Sequence, residues 1–371
     1  MTRLDVLTVA GARPNFMKIA PLAWALAKVD GVRHRIVHTG QHYDPNMSGR
    51  FFEDLRIPEP WRNLNVGSGS HGRQTADVMA RFEPLLEEDR PDVVVVVGDV
   101  NSTIACALVA SKMGIKVAHV EAGLRSFDRS MPEEVNRILT DAISDVLYVT
   151  EASGVANLAR EGVDSAKVVL AGNVMIDTLV EFRERARDSD ITERLGVARK
   201  SYVTVTLHRP SNVDDPTKVV ALVEMIRDVA RRSPVVFPVH PRTRARIAAA
   251  GLDLAAVPGL HVCDPLGYVD FLALMDRSRL LMTDSGGVQE EACLLGVPCL
   301  TLRDNTERPV TCDVGVNRLV GSDPKAGLAA ALEILERGPG AMSVPPLWDG
   351  RSATRIVGDL VARFGRPDSV S

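Results

Sequence analysis

The stretch Asp284-Ser285-Gly286-Gly287-Val288-Gln289-Glu290-Glu291-Ala292 joins a predicted strand, residues 280–283, to a predicted helix that ends before Gly296. Two adjacent glycines leave the backbone N–H groups of the first helical turn uncovered, and the helix dipole favours a phosphate there. Glu290 and Glu291 lie one turn further in, where the ribose of a nucleotide held by its diphosphate would present its hydroxyls. The same residues also fit a tight turn followed by acids that cap a helix. The rest of the chain decides between these interpretations.

Length and composition indicate a two-domain globular protein. The chain has 371 residues, of which 45% are hydrophobic and 25% charged, and its formal net charge is −4. This length exceeds what one hydrophobic core usually serves, so we expect two domains. The weak negative charge and the lack of a long basic run argue against nucleic-acid binding. No apolar run approaches the ~18 residues of a membrane span, so we expect a cytoplasmic protein without membrane association.

The order of strands and helices predicts the fold class. Short runs of β-branched residues alternate with amphipathic segments of helical length, which is typical of a parallel sheet wrapped by helices. We therefore predict an α/β fold with two Rossmann-like domains, residues 1–172 and 173–350, and a last helix within residues 351–371 that joins the first domain. The predicted strands are residues 4–9, 35–38, 93–97, 117–120, 147–150 and 168–171 in the first domain, and 202–207, 235–239, 260–263, 280–283, 299–302 and 318–320 in the second.

Polar residues that directly follow the predicted strands are the candidates for a site, because ligands of open α/β sheets bind outside the carboxyl ends of the strands. Each of these segments contains a residue able to perform acid, base or anion chemistry. A cleft between two domains is the simplest explanation. The candidates are Arg13, Lys18, Asp99, Glu121, Glu133, Arg137, His208, His240, Ser285, Gly286, Gly287, Glu291 and Arg308.

The acidic candidates also have structural interpretations. Asp99 could cap the helix that follows it, although Asn101, Ser102 and Thr103 compete for that role. The acids and arginines of residues 121–137 could form a solvated ion-pair network of little energetic value. Closely spaced carboxylates, however, raise the pKa of one member, as general acid and base catalysis require.

Histidines and cysteines give weaker signals. A lone histidine more often satisfies a structural hydrogen bond, but the strand-end position of His208 and its neighbour Arg209 favour a phosphate or leaving-group role equally. His240 has the same placement. No short ligand spacing connects these histidines with the carboxylates, so we expect no metal. The five scattered cysteines are expected to be reduced, since none is spaced as Cys-x-x-Cys.

Seven motifs occur in collinear order along residues 4–320. They are Gly11-Ala12-Arg13-Pro14-Asn15-Phe16-Met17-Lys18-Ile19-Ala20-Pro21, Thr39-Gly40-Gln41-His42-Tyr43, Gly98-Asp99, His119-Val120-Glu121-Ala122-Gly123-Leu124-Arg125-Ser126, Met131-Pro132-Glu133-Glu134-Val135-Asn136-Arg137, residues 284–292 and Thr306-Glu307-Arg308-Pro309. Together they resemble the non-hydrolysing UDP-N-acetylglucosamine 2-epimerase family.

The resemblance implies a GT-B fold, in which the parallel sheets of two Rossmann-like domains face a deep cleft. It implies reversible epimerisation at C2 of UDP-N-acetylglucosamine to UDP-N-acetylmannosamine. The family eliminates UDP to give 2-acetamidoglucal and then adds UDP back. The expected partner is the UDP-N-acetylhexosamine substrate, no cofactor is required, and we expect a homodimer.

The motif match also assigns roles. Asp99, Glu121 and Glu133 become the acid and base candidates, and Ser285, Gly286 and Gly287 hold phosphate. Glu291 holds the ribose. The cations and donors around the departing diphosphate are Arg13, Lys18, Arg137, His208 and Arg308. His240 is a further candidate for binding the substrate.

Two departures from the bacterial pattern affect regulation. His208-Arg209-Pro210-Ser211 stands where His-Arg-Arg-Glu is familiar, and Tyr43-Asp44-Pro45-Asn46 lacks a second glutamine that helps to hold an activating substrate molecule. The resemblance therefore leaves catalysis in place and argues against activation by substrate.

Three alternative functions remain, of which only the last belongs to a different class. A hydrolysing epimerase, which would release N-acetylmannosamine and UDP, ranks second because the Arg13-Pro14 and Glu133-Glu134 contexts resemble the non-hydrolysing enzymes. A GT-B glycosyltransferase ranks third, because we find no apolar or basic acceptor site in the sequence. An inactive nucleotide-sugar sensor would be expected to lose the three candidate carboxylates, all of which are present.

Overall fold

The computed structural model describes residues 2–11, 13–41, 52 and 55–367. The chain forms two compact units, Met1–Thr178 with Pro346–Ser371, and Leu179–Pro345, which we call unit 1 and unit 2. The boundary between them lies within helix α6 (Val174–Arg187). The domain limits proposed from the sequence, 172 and 350, fall close to these bounds.

Unit 1 is built on a largely parallel sheet. Its strands are β1 (Thr2–Ala10), β2 (Val32–His38), β3 (Arg62–Asn63), β4 (Val93–Val97), β5 (Lys116–Ala122), β6 (Val146–Val149), β7 (Val168–Leu170) and, from the end of the chain, β14 (Arg366–Pro367). The order across the sheet is β3-β2-β1-β4-β5-β6-β7, and β14 adds antiparallel to β1. The five consecutive valines of β4 are all buried, as expected for a central strand covered by helices on both faces.

The helices of unit 1 connect these strands and cover the sheet. They are α1 (Arg13–Leu26), α2 (His71–Glu88), α3 (Asn101–Lys112), α4 (Pro132–Ile143), α5 (Ala152–Arg160), the start of α6, and α15 (Ser352–Phe364). Helix α15 packs against α1 and β1. The last helix therefore belongs to unit 1.

Unit 2 repeats the architecture with a shorter sheet. Its strands β8 (Val203–Thr206), β9 (Val235–Pro238), β10 (Leu260–Cys263), β11 (Leu280–Thr283), β12 (Cys299–Thr301) and β13 (Asn317–Leu319) lie parallel in the order β10-β9-β8-β11-β12-β13. Its helices are the end of α6, α7 (Ile191–Arg194), α8 (Pro210–Val213), α9 (Pro216–Ala230), α10 (Pro241–Ala249), α11 (Tyr268–Asp276), α12 (Gly286–Leu295), α13 (Pro309–Asp313) and α14 (Pro324–Arg337).

The strand order determines where a ligand would bind. In both sheets the chain first builds outward in one direction and then continues on the other side, with the reversal between β1 and β4 in unit 1 and between β8 and β11 in unit 2. Ligands of such sheets bind at the carboxyl ends of the strands that flank the reversal. The turns after these four strands are therefore the places to examine.

The strand predictions are confirmed in position. Each strand predicted from the sequence overlaps an observed one, and the α/β class with parallel sheets is confirmed. The two-residue strands β3 and β14 were not predicted, because they are too short to show an alternating or β-branched pattern. Within the described part of the chain, no helix combines the length and apolar character needed to cross a lipid bilayer.

Candidate active site

The turn that follows β4 in unit 1 carries Asp99, and side chains from four elements hold its backbone. Three successive carbonyl groups, those of Val97, Gly98 and Asp99, each accept a hydrogen bond from a distant side chain. The fold itself therefore fixes the position of Asp99, as a preorganised site requires. The donors are Asn15 and Thr103 to Val97 O (2.9 and 3.0 Å), His119 Nε2 to Gly98 O (2.8 Å) and Asn136 to Asp99 O (2.9 Å).

An ion-pair network begins at the Asp99 carboxylate. Buried Arg137 pairs with Asp99 through Nη2 and with Glu134 through Nη1, the latter at 2.8 Å. Glu134 also accepts hydrogen bonds of 2.9 Å from the backbone N–H groups of Ser126 and Phe127, so its oxygens are occupied by structural partners. Glu134 orients Arg137, and Arg137 in turn orients Asp99.

Glu133 lies one residue earlier, in the first turn of α4, and has a different environment. Its side chain is half-buried, and it forms no hydrogen bond or ion pair with the described residues. Of the two adjacent glutamates, Glu134 belongs to the network and Glu133 does not. The Glu133 carboxylate therefore remains available to a ligand.

A second buried pair joins Lys18 of α1 to Glu121 at the end of β5. Glu121 has a φ of +72°, and the pairing of β5 with β6 is irregular between Val120 and Ala122. A residue other than glycine in this region of φ costs about 1–3 kcal/mol, and such strain is concentrated at functional sites. The surroundings of Glu121 thus hold its backbone in a conformation that the isolated chain would avoid.

Gly98 allows the Asp99 turn to approach this pair. A Cβ atom at Gly98 would lie 3.3 Å from Lys18 Nζ and 4.0 Å from Glu121 Oε2, and the residue adopts a φ of +69°. Both the close approach and the left-handed backbone therefore favour glycine. Lys18, Glu121 and the Asp99 turn meet at the carboxyl ends of β1, β4 and β5.

In unit 2, Asp284 is the first residue after strand β11, and it is completely buried. It accepts hydrogen bonds from the backbone N–H groups of His208 (3.0 Å) and Arg209 (2.9 Å) and from Asn212 Nδ2 (3.1 Å). Its Oδ1 also lies 3.1 Å from His208 Nδ1. Burial alone would raise the pKa of Asp284, but the hydrogen bond and charge of His208 and the other donors lower it overall. The carboxylate thus orients the His208 ring through Nδ1.

His240 lies beside His208, with the two ring centroids 6.0 Å apart. Its Nδ1 accepts the backbone N–H of Arg242 at 3.2 Å and so caps the start of α10. Because Nδ1 is the acceptor in this bond, the Nε2 atom carries the ring proton. His240 is therefore both a structural cap and a donor at the carboxyl end of β9.

Helix α12 begins directly after β11, at the other side of the reversal in strand order. Ser285 is its N-cap residue, and no side chain among the described residues caps the helix. A Cβ atom at Gly286 would meet nothing within 4 Å, so there is space beside the first turn. Exposed N–H groups together with the helix dipole make this helix start suited to an anion.

Two neighbouring glutamates of α12 have different partners. Arg308 Nε donates to Glu290 Oε1 at 2.9 Å, and both side chains are buried. The hydroxyl of Tyr268 donates to Glu291 Oε1 at 3.0 Å. Burial raises the pKa of Glu291 to about 8, with the adjacent Glu290 charge adding to the effect and Tyr268 opposing it. Near neutral pH Glu291 is therefore mainly a neutral acid that can both donate and accept a hydrogen bond.

Comparison with known proteins identifies the family. Residues 25–361 match the family model described as UDP-N-acetylglucosamine 2-epimerase. The chain belongs to this family of epimerases.

Several relatives resemble the chain over most of its length. A UDP-N-acetylglucosamine 2-epimerase from Methanocaldococcus jannaschii is 44% identical, with 94% of this chain and 96% of the relative covered. A UDP-2,3-diacetamido-2,3-dideoxy-D-glucuronate 2-epimerase from Pseudomonas aeruginosa is also 44% identical, with 86% of this chain and 89% of the relative covered.

Solved structures confirm the predicted GT-B-like fold. The crystal structure of the M. jannaschii enzyme in complex with UDP-GlcNAc and UDP has a TM-score of 0.88 at 42% identity, covering 97% of this chain and 100% of that one. The crystal structure of UDP-GlcNAc 2-epimerase from Neisseria meningitidis bound to UDP-GlcNAc has a TM-score of 0.88 at 30% identity, with 97% of this chain and 100% of that one covered.

The structure brings the residues predicted for an epimerase together in two groups, one in each unit. The group in unit 1 contains Lys18, Asp99, Glu121, Arg137 and, at the start of α4, Glu133. Arg13 begins α1, but its side chain lies outside the described residues, as do residues 42–51 with the segment after Gly40-Gln41. The group in unit 2 contains His208, His240, Ser285, Gly286, Gly287, Glu291 and Arg308.

Sequence reasoning missed the residues that hold these groups in place. Asn15, His119, Asn136 and Asp284 lie inside the motifs that it identified, so position relative to the motif was a usable signal. Asp141, whose Oδ1 lies 2.7 Å from His119 Nδ1, and Tyr268 lie outside them, and nothing local marked either residue. Within the described ranges, no group of three or more His, Cys, Asp and Glu side chains is arranged to hold a metal.

Proposed function

We propose that this epimerase interconverts UDP-N-acetylglucosamine and UDP-N-acetylmannosamine without hydrolysis. The observation that carries the proposal is the meeting of the strained Glu121, its partner Lys18 and the Asp99 turn at the switch point of unit 1. Several carboxylates with unlike partners around one point are what removal and return of a proton require. The names of the M. jannaschii relative and of the bound ligands in its crystal structure support the choice of substrate.

The C2 proton of the sugar is not acidic, which determines the type of reaction. We propose that the C1–O bond breaks, with the electron pair leaving on the β-phosphate oxygen of UDP, while a carboxylate removes the C2 proton. The C1–C2 double bond of 2-acetamidoglucal forms. UDP then adds back to C1, and C2 receives a proton on the opposite face. Atoms and charges balance without an oxidant or a cofactor.

Asp99, Glu121 and Glu133 are proposed to share the acid and base roles. Glu121 is paired with an ammonium group and Asp99 with a guanidinium. Glu133 has no partner among the described residues and is half-buried. The unlike environments of these carboxylates are suited to removing a proton on one face and returning it on the other.

The unit 2 group is proposed to bind the UDP portion. The start of α12 offers backbone N–H groups to the diphosphate, and Glu291 offers its carboxyl group to the ribose. His208 and Arg308 would stabilise the negative charge that grows on the departing diphosphate, together with Arg13 and His240. Fixed donors aimed at developing charge provide the largest single contribution in many enzymes.

A second substrate has a specific observation in its favour. The P. aeruginosa relative, named for UDP-2,3-diacetamido-2,3-dideoxy-D-glucuronate, is as similar in identity as the M. jannaschii enzyme. The proposed C2 chemistry would be unchanged with that sugar. We favour UDP-N-acetylglucosamine because the relatives with this name cover 94% of the chain, against 86% for the P. aeruginosa protein.

Proton NMR in D2O tests the proposal directly. We expect UDP-N-acetylglucosamine to give UDP-N-acetylmannosamine that carries deuterium at C2, with slow leakage of UDP and 2-acetamidoglucal on long incubation. A parallel reaction contains UDP-2,3-diacetamido-2,3-dideoxy-glucuronic acid, and faster turnover of that sugar would reassign the substrate. Release of free N-acetylmannosamine, or product without C2 deuterium, would overturn the mechanism.

Glu121→Gln is the matched variant for the same experiment. It keeps the shape of the side chain and removes its charge, so we expect turnover to fall by roughly 10²–10⁴-fold. Glu184→Gln makes the same chemical change at an exposed position and should leave turnover unaltered. Equal activity of the two variants would remove Glu121 from the mechanism.

A further inference from the structure

His119 lies in β5 two residues before Glu121 and is completely buried. Its Nε2 atom is 2.8 Å from the carbonyl oxygen of Gly98. Its Nδ1 atom is 2.7 Å from Asp141 Oδ1. Both nitrogens of this ring therefore face oxygen atoms of the protein.

These contacts determine the protonation of the ring. A carbonyl oxygen can only accept, so Nε2 of His119 carries a proton. Asp141 Oδ2 lies 2.7 Å from the guanidinium of Arg125 and accepts the backbone N–H of Gly123 at 3.1 Å, and a buried carboxyl group held by a guanidinium is ionised. Asp141 is therefore a carboxylate, which also only accepts, so Nδ1 carries a proton too. The ring is a buried imidazolium.

The charges around this imidazolium balance. Asp141 Oδ2 lies 2.7 Å from Arg125 Nη2, and Arg125 is also paired with Glu161 at 2.7 Å. Two cations thus meet two carboxylates. A buried ion pair is stable only when its partners and remaining hydrogen bonds are satisfied, and this cluster meets that condition.

One carboxylate, Asp141, thereby holds two turns. Through His119 it fixes the carbonyl of Gly98, the residue directly before Asp99. Through Oδ2 it accepts the backbone N–H of Gly123 at 3.1 Å, two residues after the strained Glu121. Asp141 therefore links the turn that carries Asp99 to the turn that follows Glu121.

We propose that His119 and Asp141 are positioning residues, which set the spacing between Asp99 and Glu121 for proton transfer without touching the substrate. The proposal rests on the proposed function, since it assigns a reaction to these carboxylates. The neighbouring carbonyls of Val97 and Asp99 are held by neutral donors. Only the Gly98 carbonyl, between them, receives a charge-assisted bond, which is shorter and stronger than a neutral one.

Two substitutions of His119 separate its two contacts. The amide nitrogen of glutamine occupies about the position of Nε2, so His119→Gln keeps a donor toward Gly98 O and loses the contact with Asp141. The amide nitrogen of asparagine occupies about the position of Nδ1, so His119→Asn does the reverse. Both variants remove the same charge, which makes each a control for the other.

The expected result is unequal loss of kcat. We expect His119→Gln to stay within roughly 10-fold of the wild-type kcat and His119→Asn to lose about 10²-fold, because a misplacement of about 1 Å carries that penalty. The Kd for UDP, measured by calorimetry, should be the same in both variants, since the residues proposed to bind UDP, apart from Arg13, belong to unit 2. An His119→Asn kcat equal to or above that of His119→Gln would overturn the proposal, as would failure of both variants to fold.

A second measurement does not depend on turnover. In wild-type protein labelled with ¹⁵N-histidine, the His119 ring, recognised by the signals missing from the folded variant, should show protons on both nitrogens. A single ring proton would overturn the inference even in an active enzyme. A different outcome is wild-type protein that shows both ring protons but no epimerisation of either sugar nucleotide. In that case the proposed function fails, but the contacts of His119 with Gly98 O and Asp141 stand.

Discussion

Asp141–His119 in unit 1 and Asp284–His208 in unit 2 are the same pair of residue types used in two ways. Both carboxylates are buried, with 2% and 0% of their surface exposed. His119 is also buried, and protein oxygens occupy both of its nitrogens. The His208 side chain is 43% exposed, and of its two ring nitrogens Asp284 contacts Nδ1. Exposure of the ring thus separates a histidine that positions the protein from one that can contact a ligand.

The two aspartates also differ in what remains when the histidine is lost. Asp284 keeps three N–H donors from His208, Arg209 and Asn212, two of which belong to the backbone. Asp141 would keep Arg125 and one backbone N–H. Substitution of His208 should therefore change the stability of the protein little, whereas loss of the Asp141 carboxylate should lower it.

The largest expected effect is on the stability of unit 1. Asp141→Asn leaves two buried cations, His119 and Arg125, with one carboxylate fewer, so we expect the free energy of unfolding in urea to fall by about 3–5 kcal/mol. Asp77→Asn breaks a surface pair with Arg73 and should change the free energy of unfolding by less than about 1 kcal/mol. Similar midpoints for the two variants would mean that the buried cluster contributes no more than a surface ion pair.

The reverse pattern is expected at His208. His208→Ala should lower kcat by about 10²–10³-fold, the usual loss when a donor to developing negative charge is removed. The free energy of unfolding should change by less than about 1 kcal/mol, because the ring is half-exposed and Asp284 keeps its other donors. Loss of stability without loss of kcat would mean that His208, like His119, positions the protein and does not contact the ligand.

A third carboxyl group, Glu291, has a tyrosine hydroxyl instead of a histidine as its partner, and its stability effect should depend on pH. Its pKa is about 8 in the folded protein and near 4.5 when unfolded. Its contribution to stability is therefore fully present below pH 4.5 and is lost as the pH rises through 8. Between pH 5.5 and 8.5 the free energy of unfolding of the wild-type protein should fall by on the order of 1–3 kcal/mol relative to that of Glu291→Gln, because glutamine does not titrate.

Urea unfolding at the two pH values measures this difference. Glu184→Gln removes an exposed carboxylate and should follow the wild-type protein at both. Parallel curves for wild type and Glu291→Gln would show that Glu291 is ionised throughout this range.

The smallest expected effect concerns binding by the same residue. Glu291→Ala should raise the Kd for UDP about 10-fold, which corresponds to one lost hydrogen bond of about 1.4 kcal/mol. The kcat at saturation should change little, because a ribose contact is equally strong in the ground and transition states. A large fall in kcat with an unchanged Kd would contradict the ribose role.

The strands and strand ends could be predicted from sequence because their signals are local. Five consecutive valines require burial on both faces, and Gly286-Gly287 after an apolar strand leaves a helix start open. The partners of the charged residues could not be predicted in the same way. Nothing near Glu133 and Glu134 reveals that only Glu134 reaches Arg137, since this depends on how α4 packs beside the Asp99 turn.

Distance along the chain explains the remaining misses. Asp141 contacts His119 across 22 residues and Tyr268 contacts Glu291 across 23, whereas motif reasoning considers close neighbours. Glu121 was predicted as an acid or base candidate directly after a strand, but its positive φ, which accompanies the irregular pairing of β5 with β6, has no local signal in the sequence. The chemistry of single residues could be predicted from the sequence. The hydrogen bonds and ion pairs between them could be identified only from the tertiary structure.

The return of the chain to unit 1 has a consequence for synthesis on the ribosome. Unit 2 is one continuous segment, residues 179–345, but unit 1 needs residues 346–371 as well. These late residues supply the buried Trp348, whose Nε1 donates to Thr150 O at 3.0 Å, and the start of α15, whose N–H groups at Ser352 and Ala353 are held by Asp177. Unit 1 therefore stays incomplete until these late residues have been translated, so unit 2, which is made second, can finish folding first.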